Sequence, residues 1–538
     1  MTTPSPVEQK TTVASAGICW WPPLLMMAVT IMVLTISCYS EVDQWDRPNQ
    51  LLFGLIALHL GFVSWVRGYS RMRPAAQIKT LICIITLEAF FALMLGRDSF
   101  NGSRWPLIAW RWNTSANLLQ RTFDPPDRHQ VTVPMMESHS AWDILEFRGQ
   151  NRSGIVTGVA LERNWDLKPP KLLWQREIGV GWSSFSVCGD HCVTQEQREE
   201  NEAIVCYHIH TGEQVWEHRY SAQLKNMQFG NGPRATPTIY EGRIYAQGAT
   251  GILSCVEGRT GGLIWSRDII KDDGGVLPLF GYAISPLVVD DLVITSPGGK
   301  GCSLAAYHKL TGKPVWAAGD ELASYASPQL ANFSQHPQVL IFNAGGLYAH
   351  SLQDGALLWN VPWVSPPDLN NVCQPIPFLA DEDDPHDRLF LSSDYGVGCA
   401  LLEIHKNDAE HWSWTDRWRN QNLKSKYACA VVRNGYVFGF DMNLLACVEL
   451  KSGKRQWKAG RYGYGQLLCV GDCLVIQAES GEVALVDASA EKFTELGKFT
   501  ALDWKTWNVP VLSGNRLLVR NDRQAACYEL PASQLPPK

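Results

Sequence analysis

The chain has 538 residues, 46% of them hydrophobic, and a formal net charge of −6. That length accommodates one large domain with an appendage, and the mild acidity excludes the basic footprint of a nucleic-acid-binding protein. Fifteen cysteines are present, but there is no Cys-x-x-Cys-His segment and no zinc-ligand spacing, so covalent haem and a metal centre are not indicated.

Residues 1–21 read as a cytoplasmic tail. Within 22–96 lie three apolar runs, 22–38, 51–66 and 81–95. Each is slightly shorter than the ~20 residues of a spanning helix, and Ser, Thr and Trp flanks extend it, so three transmembrane α-helices are expected. The first loop carries Glu41, Asp43, Asp46 and Arg47, and the second carries Arg67, Arg71, Arg73 and Lys79. The positive-inside rule places the second loop and the N-terminus in the cytoplasm, and everything after Leu95 outside. In a bacterial cell that means an inner-membrane protein with its main domain in the periplasm. His59 and Glu88 fall near the middles of the second and third runs, where ionisable groups form either a structural pair or a relay. Residues 97–143 have no clear period and contain Pro125-Pro126-Asp127, which reads as a linker or small subdomain.

From residue 144 a repeat takes over. A small residue is followed six positions later by Gly and four after that by Trp: Cys206, Gly212 and Trp216; Cys255, Gly261 and Trp265; Ala306, Gly312 and Trp316; Ala349, Gly355 and Trp359; Cys447, Gly453 and Trp457. Leu402, Asp408 and Trp412 form a degenerate copy, Leu485, Glu491 and Glu495 a weaker one, and Cys527 starts an eighth. Each copy reads as strand, tight turn, strand, with Gly supplying positive φ. A further strand pair precedes it, around turns such as Glu241-Gly242 and Asn434-Gly435. Four short strands per unit make a propeller blade. The spare strand 172–174, which carries Trp174, completes the eighth unit and leaves no open edge. Residues 171–530 then hold about 45 residues per blade. The expected fold is an all-β, eight-bladed β-propeller of four-stranded blades over 144–530, preceded by three transmembrane helices and followed by a tail, 531–538. Trp174, Trp216, Trp265, Trp316, Trp359, Trp412 and Trp457 are the expected docking side chains between blades. The cysteines in the small-residue slot read as buried small hydrophobes. Cys188 with Cys192 and Cys469 with Cys473 flank hairpin turns and are either disulfides or free thiols.

Residues 145–530 resemble the bacterial PQQ-repeat propellers, whose Ala-x-Asp-x-x-Thr-Gly-x-x-x-Trp segment is called the tryptophan-docking motif. This chain departs at the third position, with His208, Glu257, His308, Ser351 and Glu449, and keeps it as Asp487. The stretches Phe147–Gly154, Gly181–Phe185, Pro297–Gly301 and Arg461–Gln466 resemble a membrane-anchored subgroup. The resemblance implies one of two occupations. Quinoprotein dehydrogenases hold pyrroloquinoline quinone (PQQ) and Ca²⁺ over the axis, with a catalytic Asp, a Trp floor and often a vicinal Cys-Cys disulfide. The outer-membrane-assembly scaffold has the same blades and no cofactor. Fold alone does not choose between them.

The strand openings expected to ring the axis are Arg234, Tyr282, Tyr325, Asn371, Gln374, Tyr427, Tyr464, Trp507 and Asn508. They offer amides, phenols and one guanidinium but no acid, whereas Ca²⁺ wants six to eight oxygens with carboxylates among them. Asp320-Glu321 and Asp272-Asp273 lie in nearby loops. The preferred expectation is therefore a membrane-anchored, extracytoplasmic binding or scaffold propeller, with a protein or peptide ligand at the axis, no nucleic acid and no cofactor. The alternative is a membrane-bound PQQ- and Ca²⁺-dependent dehydrogenase that oxidises an alcohol or sugar and passes electrons to membrane quinone.

Overall fold

The five full sequence copies are five strand pairs in one register. Cys206 lies opposite Trp216, Cys255 opposite Trp265, Ala306 opposite Trp316, Ala349 opposite Trp359 and Cys447 opposite Trp457, each with a β-bulge immediately after the pair. The structure is a computed structural model and describes residues 60–67, 73–100, 106–110, 136 and 140–534, apart from 226–228, 365–370, 383, 395 and 408–410.

These pairs are the outer halves of five of the eight antiparallel blades of a propeller. Seven lie at 186–221, 238–268, 287–318, 329–362, 376–420, 431–461 and 466–500. The eighth joins 511–529 to the N-terminal strand Lys171–Glu177, with Cys527 opposite Trp174. This closure completes the ring and leaves each blade with only short edges, which limits edge-to-edge association. The seventh blade gains a fifth strand, Ile155–Val156, parallel to Gln466–Val470.

The docking geometry gives the repeat its physical reason. The rings of Trp174, Trp216, Trp265 and Trp316 lie over the turn glycine of the next blade, whereas Trp359 donates to Gln338 Oε1 of its own blade at 2.8 Å. A Cβ on Gly212, Gly261, Gly312 or Gly355 would stand 2.5–2.7 Å from the indole of Trp174, Trp216, Trp265 or Trp316. The same glycines have φ between +66° and +74°, so both the backbone and the ring demand glycine. The indole N–H then donates to a carbonyl of that neighbouring blade, as from Trp174 to Ile209 at 2.7 Å, Trp216 to Gly258 at 3.0 Å and Trp265 to Lys309 at 2.8 Å. The space for the ring is thus made by the glycine, while the small residue is the cross-strand partner of the Trp.

Two blades depart from the expected assignments. In the fifth, the outer hairpin strands Gly398–Lys406 and Trp412–Asn420 are nine residues each, and the extension carries Trp412 to the far end, opposite Lys406. Trp418 takes the docking position instead: it pairs with Leu401, covers Gly453 and donates to Leu450 O at 2.8 Å. In the seventh, Leu485 faces Gly497, and the buried Trp165 from the N-terminal segment packs where that blade's own Trp would be.

Cys188, Cys192, Cys469 and Cys473 are free thiols. Cys188 pairs with His191 while Cys192 pairs with Val187, and Cys469 pairs with Leu474 while Cys473 pairs with Val470. The one-residue offset turns the sulfurs of each couple to opposite faces of the blade.

Pro74–Met94 is a 21-residue helix over most of the third apolar run, and Leu95–Phe100 is a strand. No helix among the described residues is long and apolar enough to cross a membrane. The spanning helix expected at 81–95 is therefore not shown: the helix starts seven residues before that run, at Pro74, and the strand Leu95–Phe100 follows it. The first run, residues 51–59 of the second and His59 lie outside the described residues.

Candidate functional site: an aromatic cup on the propeller axis

The inner strands of the blades open around a cavity of about 170 Å³. Trp182, Phe229, Phe280, Tyr325, Tyr427 and Trp507 dominate its wall. Their rings form a continuous chain: Tyr325 to Phe280 at 5.9 Å, Phe280 to Phe229 at 4.4 Å, Phe229 to Trp507 at 5.9 Å, and Trp507 to both Tyr427 and Trp182 at 5.4 and 5.2 Å. Edge and tilted arrangements at such distances add to the stability gained from burial. Two lysines back the rings. Lys505 Nζ lies 4.3 Å from the centre of Trp507, and Lys426 Nζ lies 4.7 Å from that of Tyr464. Between them the buried Glu479 accepts from Trp507 Nε1 at 2.9 Å and from the Tyr464 N–H at 3.1 Å.

The polar members of the expected ring serve the scaffold. Arg234 lines the cavity, but its guanidinium donates to the carbonyls of Phe280, Gly230 and Phe229 at 2.7, 2.8 and 3.4 Å. Burial pulls its pKa down to about 10. Asn371 Nδ2 donates to Asn343 O and Trp363 O, Gln374 Nε2 donates to Ser327 O, and Asn508 Nδ2 donates to Ser183 O. Tyr282 is fully buried and donates to Pro297 O at 2.7 Å. Tyr464 packs behind Tyr427 at 5.5 Å. Of the nine ring residues, Arg234, Tyr325, Tyr427 and Trp507 line the cavity, and Asn371, Gln374 and Asn508 tie neighbouring blades together.

Behind the cup runs a strap, residues 144–156, which includes the resembling stretch Phe147–Gly154. Ile144 pairs with Val187 of the first blade, and Leu145 O accepts from Ile239 N of the second. Arg152 donates to Ser285 O at 3.0 Å and Pro286 O at 2.6 Å of the third, and Gln329 of the fourth donates to Asn151 O. Arg148 reaches Ala430 O at 2.9 Å of the sixth, and Gly154 O accepts from Cys469 N of the seventh. Arg152 also pairs with Glu146 at 3.1 Å; burial lowers its pKa and Glu146 opposes that. Residues 144–156 therefore bind six blades across the axis. Phe147 faces the cup, while Glu146 and Arg152 line a larger cavity of about 670 Å³. The strap's positive φ values at Arg148, Asn151 and Arg152 are held by these contacts. Two arginines in an eight-residue segment rich in glycine were the available sequence signal.

PQQ with Ca²⁺ would call on carboxylates and free cationic donors. The described residues that line the cup include no carboxylate, and the one guanidinium is committed to three carbonyls. Among the described residues no group of three or more His, Cys, Asp or Glu side chains is placed to hold a metal. Ca²⁺ takes six to eight oxygens, carboxylates among them, and this wall offers only the hydroxyls of Ser184 and Thr236, the phenols of Tyr325 and Tyr427 and the Gln466 amide, so the residues present do not fit the pair. Asp272 and Asp320 are tied elsewhere, to Arg267 and to Gly301 N.

No curated protein matches the chain. Among solved structures it is similar to BamB from Moraxella catarrhalis, at 15% identity over 67% of this chain and 100% of that one, with a TM-score of 0.49. It is also similar to the quinohemoprotein alcohol dehydrogenase ADHIIG from Pseudomonas putida HK5, at 11% identity over 74% of this chain and 82% of that one, with a TM-score of 0.53. At such identity the likeness shows the fold alone. The profile described as outer membrane protein assembly factor BamB matches residues 166–278 and 200–459, more than half of the chain. On that match, and on the closed ring of eight docked blades, the chain belongs to the family of outer membrane protein assembly factor BamB.

Proposed function

We propose that the chain is a binding propeller without catalysis, whose axial cup takes an apolar, aromatic-bearing segment of a protein partner. The observation that carries this reading is the wall of the cup: six aromatic rings in mutual contact, with the nearby amides and the guanidinium engaged between blades. Rigid aromatics in a desolvated pocket are what protein-recognition hot spots are made of. The family's description as an assembly factor supports a protein partner and a place outside the cytoplasm. Membrane attachment through the N-terminal apolar runs belongs to the same proposal, and a topology reporter fused after Pro125 tests the location.

The deciding experiment titrates the purified chain with short extended peptides bearing Phe or Tyr, and in parallel with PQQ plus Ca²⁺, reading the fluorescence of Trp182 and Trp507. Saturable peptide binding that Tyr427→Ala weakens supports the proposal. Ca²⁺-dependent binding of PQQ with reduction of a dye by an alcohol or sugar overturns it and restores the dehydrogenase.

A further inference from the structure

A belt of hydrogen bonds joins the blades where their inner strands begin. Thr236 N donates to Ser285 Oγ at 2.9 Å, Ser285 N to Ser327 Oγ at 2.9 Å, and Ser327 N to Gln374 Oε1 at 2.7 Å. At the next step Gln374 N donates to Cys429 Sγ at 3.2 Å. Each acceptor stands two residues before its inner strand, so Cys429 occupies a position that oxygen fills in the three preceding links. A neutral thiol is a weak acceptor and a thiolate a strong one.

Cys429 is not alone. Cys373, adjacent in sequence to Gln374, donates from its sulfur to Gln374 O at 3.6 Å, and the Gln374 N–H reaches the Cys429 sulfur at 3.2 Å, which sets Cys373 beside Cys429 across the seam between the fifth and sixth blades. Both are free and buried, and Cys429 lines the aromatic cup. Arg148 of the strap donates to the carbonyls of Cys429 and Ala430 at 3.4 and 2.9 Å. The neighbouring Cys373 thiol lowers the Cys429 pKa, with burial opposing and the Arg148 charge and Gln374 N–H assisting. The same neighbourhood, with burial, raises Cys373. Cys206, Cys447 and Cys527 go the other way, raised by burial.

We propose that Cys373 and Cys429 form a redox-active dithiol in the wall of the axial cup, which takes a small organic disulfide as its substrate and closes to a bridge between the fifth and sixth blades. The Cys429 thiolate attacks one sulfur of the disulfide, forming a mixed disulfide and releasing the other half as a thiolate. That thiolate takes the Cys373 proton. The Cys373 sulfur then attacks Cys429 Sγ, the mixed bond breaks, and the second half leaves as a thiolate that is protonated from water. Two cysteine thiols are oxidised and one disulfide is reduced to two thiols. The inference does not depend on what else the cup binds.

The test treats the reduced full-length protein with 2-hydroxyethyl disulfide, quenches with acid and maps the peptides. The expected product is a Cys373–Cys429 cross-link and a loss of two hydrogens. In Cys373→Ser the reaction stops at a mixed disulfide on Cys429, and in Cys429→Ser neither product forms. A measurement on the unsubstituted protein guards against unfolded variants: at neutral pH iodoacetamide should alkylate Cys429 at least about tenfold faster than Cys206 or Cys527. A folded protein that yields no cross-link, or alkylation of Cys429 no faster than that of the other buried cysteines, overturns the proposal.

Discussion

Glu202 offers the sharpest test of how this propeller is held together. It lies on the strand Asn201–His208 of the first blade and is fully buried. Tyr220 Oη donates to its Oε2 at 2.9 Å and Ala249 N to its Oε1 at 3.1 Å, and no cation pairs with it among the described ion pairs. Burial, opposed by those two hydrogen bonds, lifts its pKa from 4.5 to about 7. The folded protein therefore holds this proton more tightly than the unfolded chain. The stabilisation is complete below the unfolded value of 4.5 and is lost as the pH rises through about 7. At about 1.4 kcal/mol per pH unit, the full difference is about 3 kcal/mol. Glu202→Gln reproduces the protonated side chain: its amide donates to Tyr220 Oη and its carbonyl accepts from Ala249 N. Urea unfolding of both proteins across the pH range should show near-equal stability below about pH 4 and an advantage to Glu202→Gln that approaches about 3 kcal/mol above about pH 8. A difference that stays constant with pH, or one that favours the unsubstituted protein at high pH, would refute the assignment of a neutral buried carboxyl.

Three further outcomes follow from the docking and the strap. Gly261→Ala places a Cβ 2.5 Å from the Trp216 ring at φ +72°, whereas Gly435→Ala at φ +78° meets open space; the second should cost about 1 kcal/mol for backbone strain alone and the first at least twice that, read by thermal unfolding. Trp418→Ala should cost about 3 kcal/mol and Trp412→Ala less than half of it, since only Trp418 covers Gly453; equal losses would return the docking role to Trp412. Arg152→Met removes the donors to Ser285 O and Pro286 O and leaves Glu146 without its partner, so a loss of about 3 kcal/mol and faster proteolytic cleavage near residues 144–156 are expected.

The sequence reading and the structure part company for a physical reason at each place. The turn glycine and the Trp are separated by four residues in every full copy, so one hairpin carries the whole signal. Trp412 misled because an extended hairpin shifts the register without changing the local spacing of Trp residues. Asn371, Gln374 and Asn508 do stand where inner strands open, but a buried amide must satisfy its own hydrogen bonds, and the nearest partners are carbonyls of adjacent blades. Trp165 gave no signal because the glycine it covers, Gly497, is more than 300 residues away in the chain.

The sequence by itself determined the repeat, the number of blades and the closure by the strand that carries Trp174. Those depend on local periodicity and on a count of strands, and both are written along the chain. Only the tertiary structure decided what lies on the axis. Closing eight blades brings Phe229, Phe280, Tyr427 and Trp507 into one wall, draws residues 144–156 across six blades, and sets Cys373 beside Cys429. Each of those meetings joins residues far apart in sequence, and no local pattern encodes which of them will share a cavity once the ring has closed.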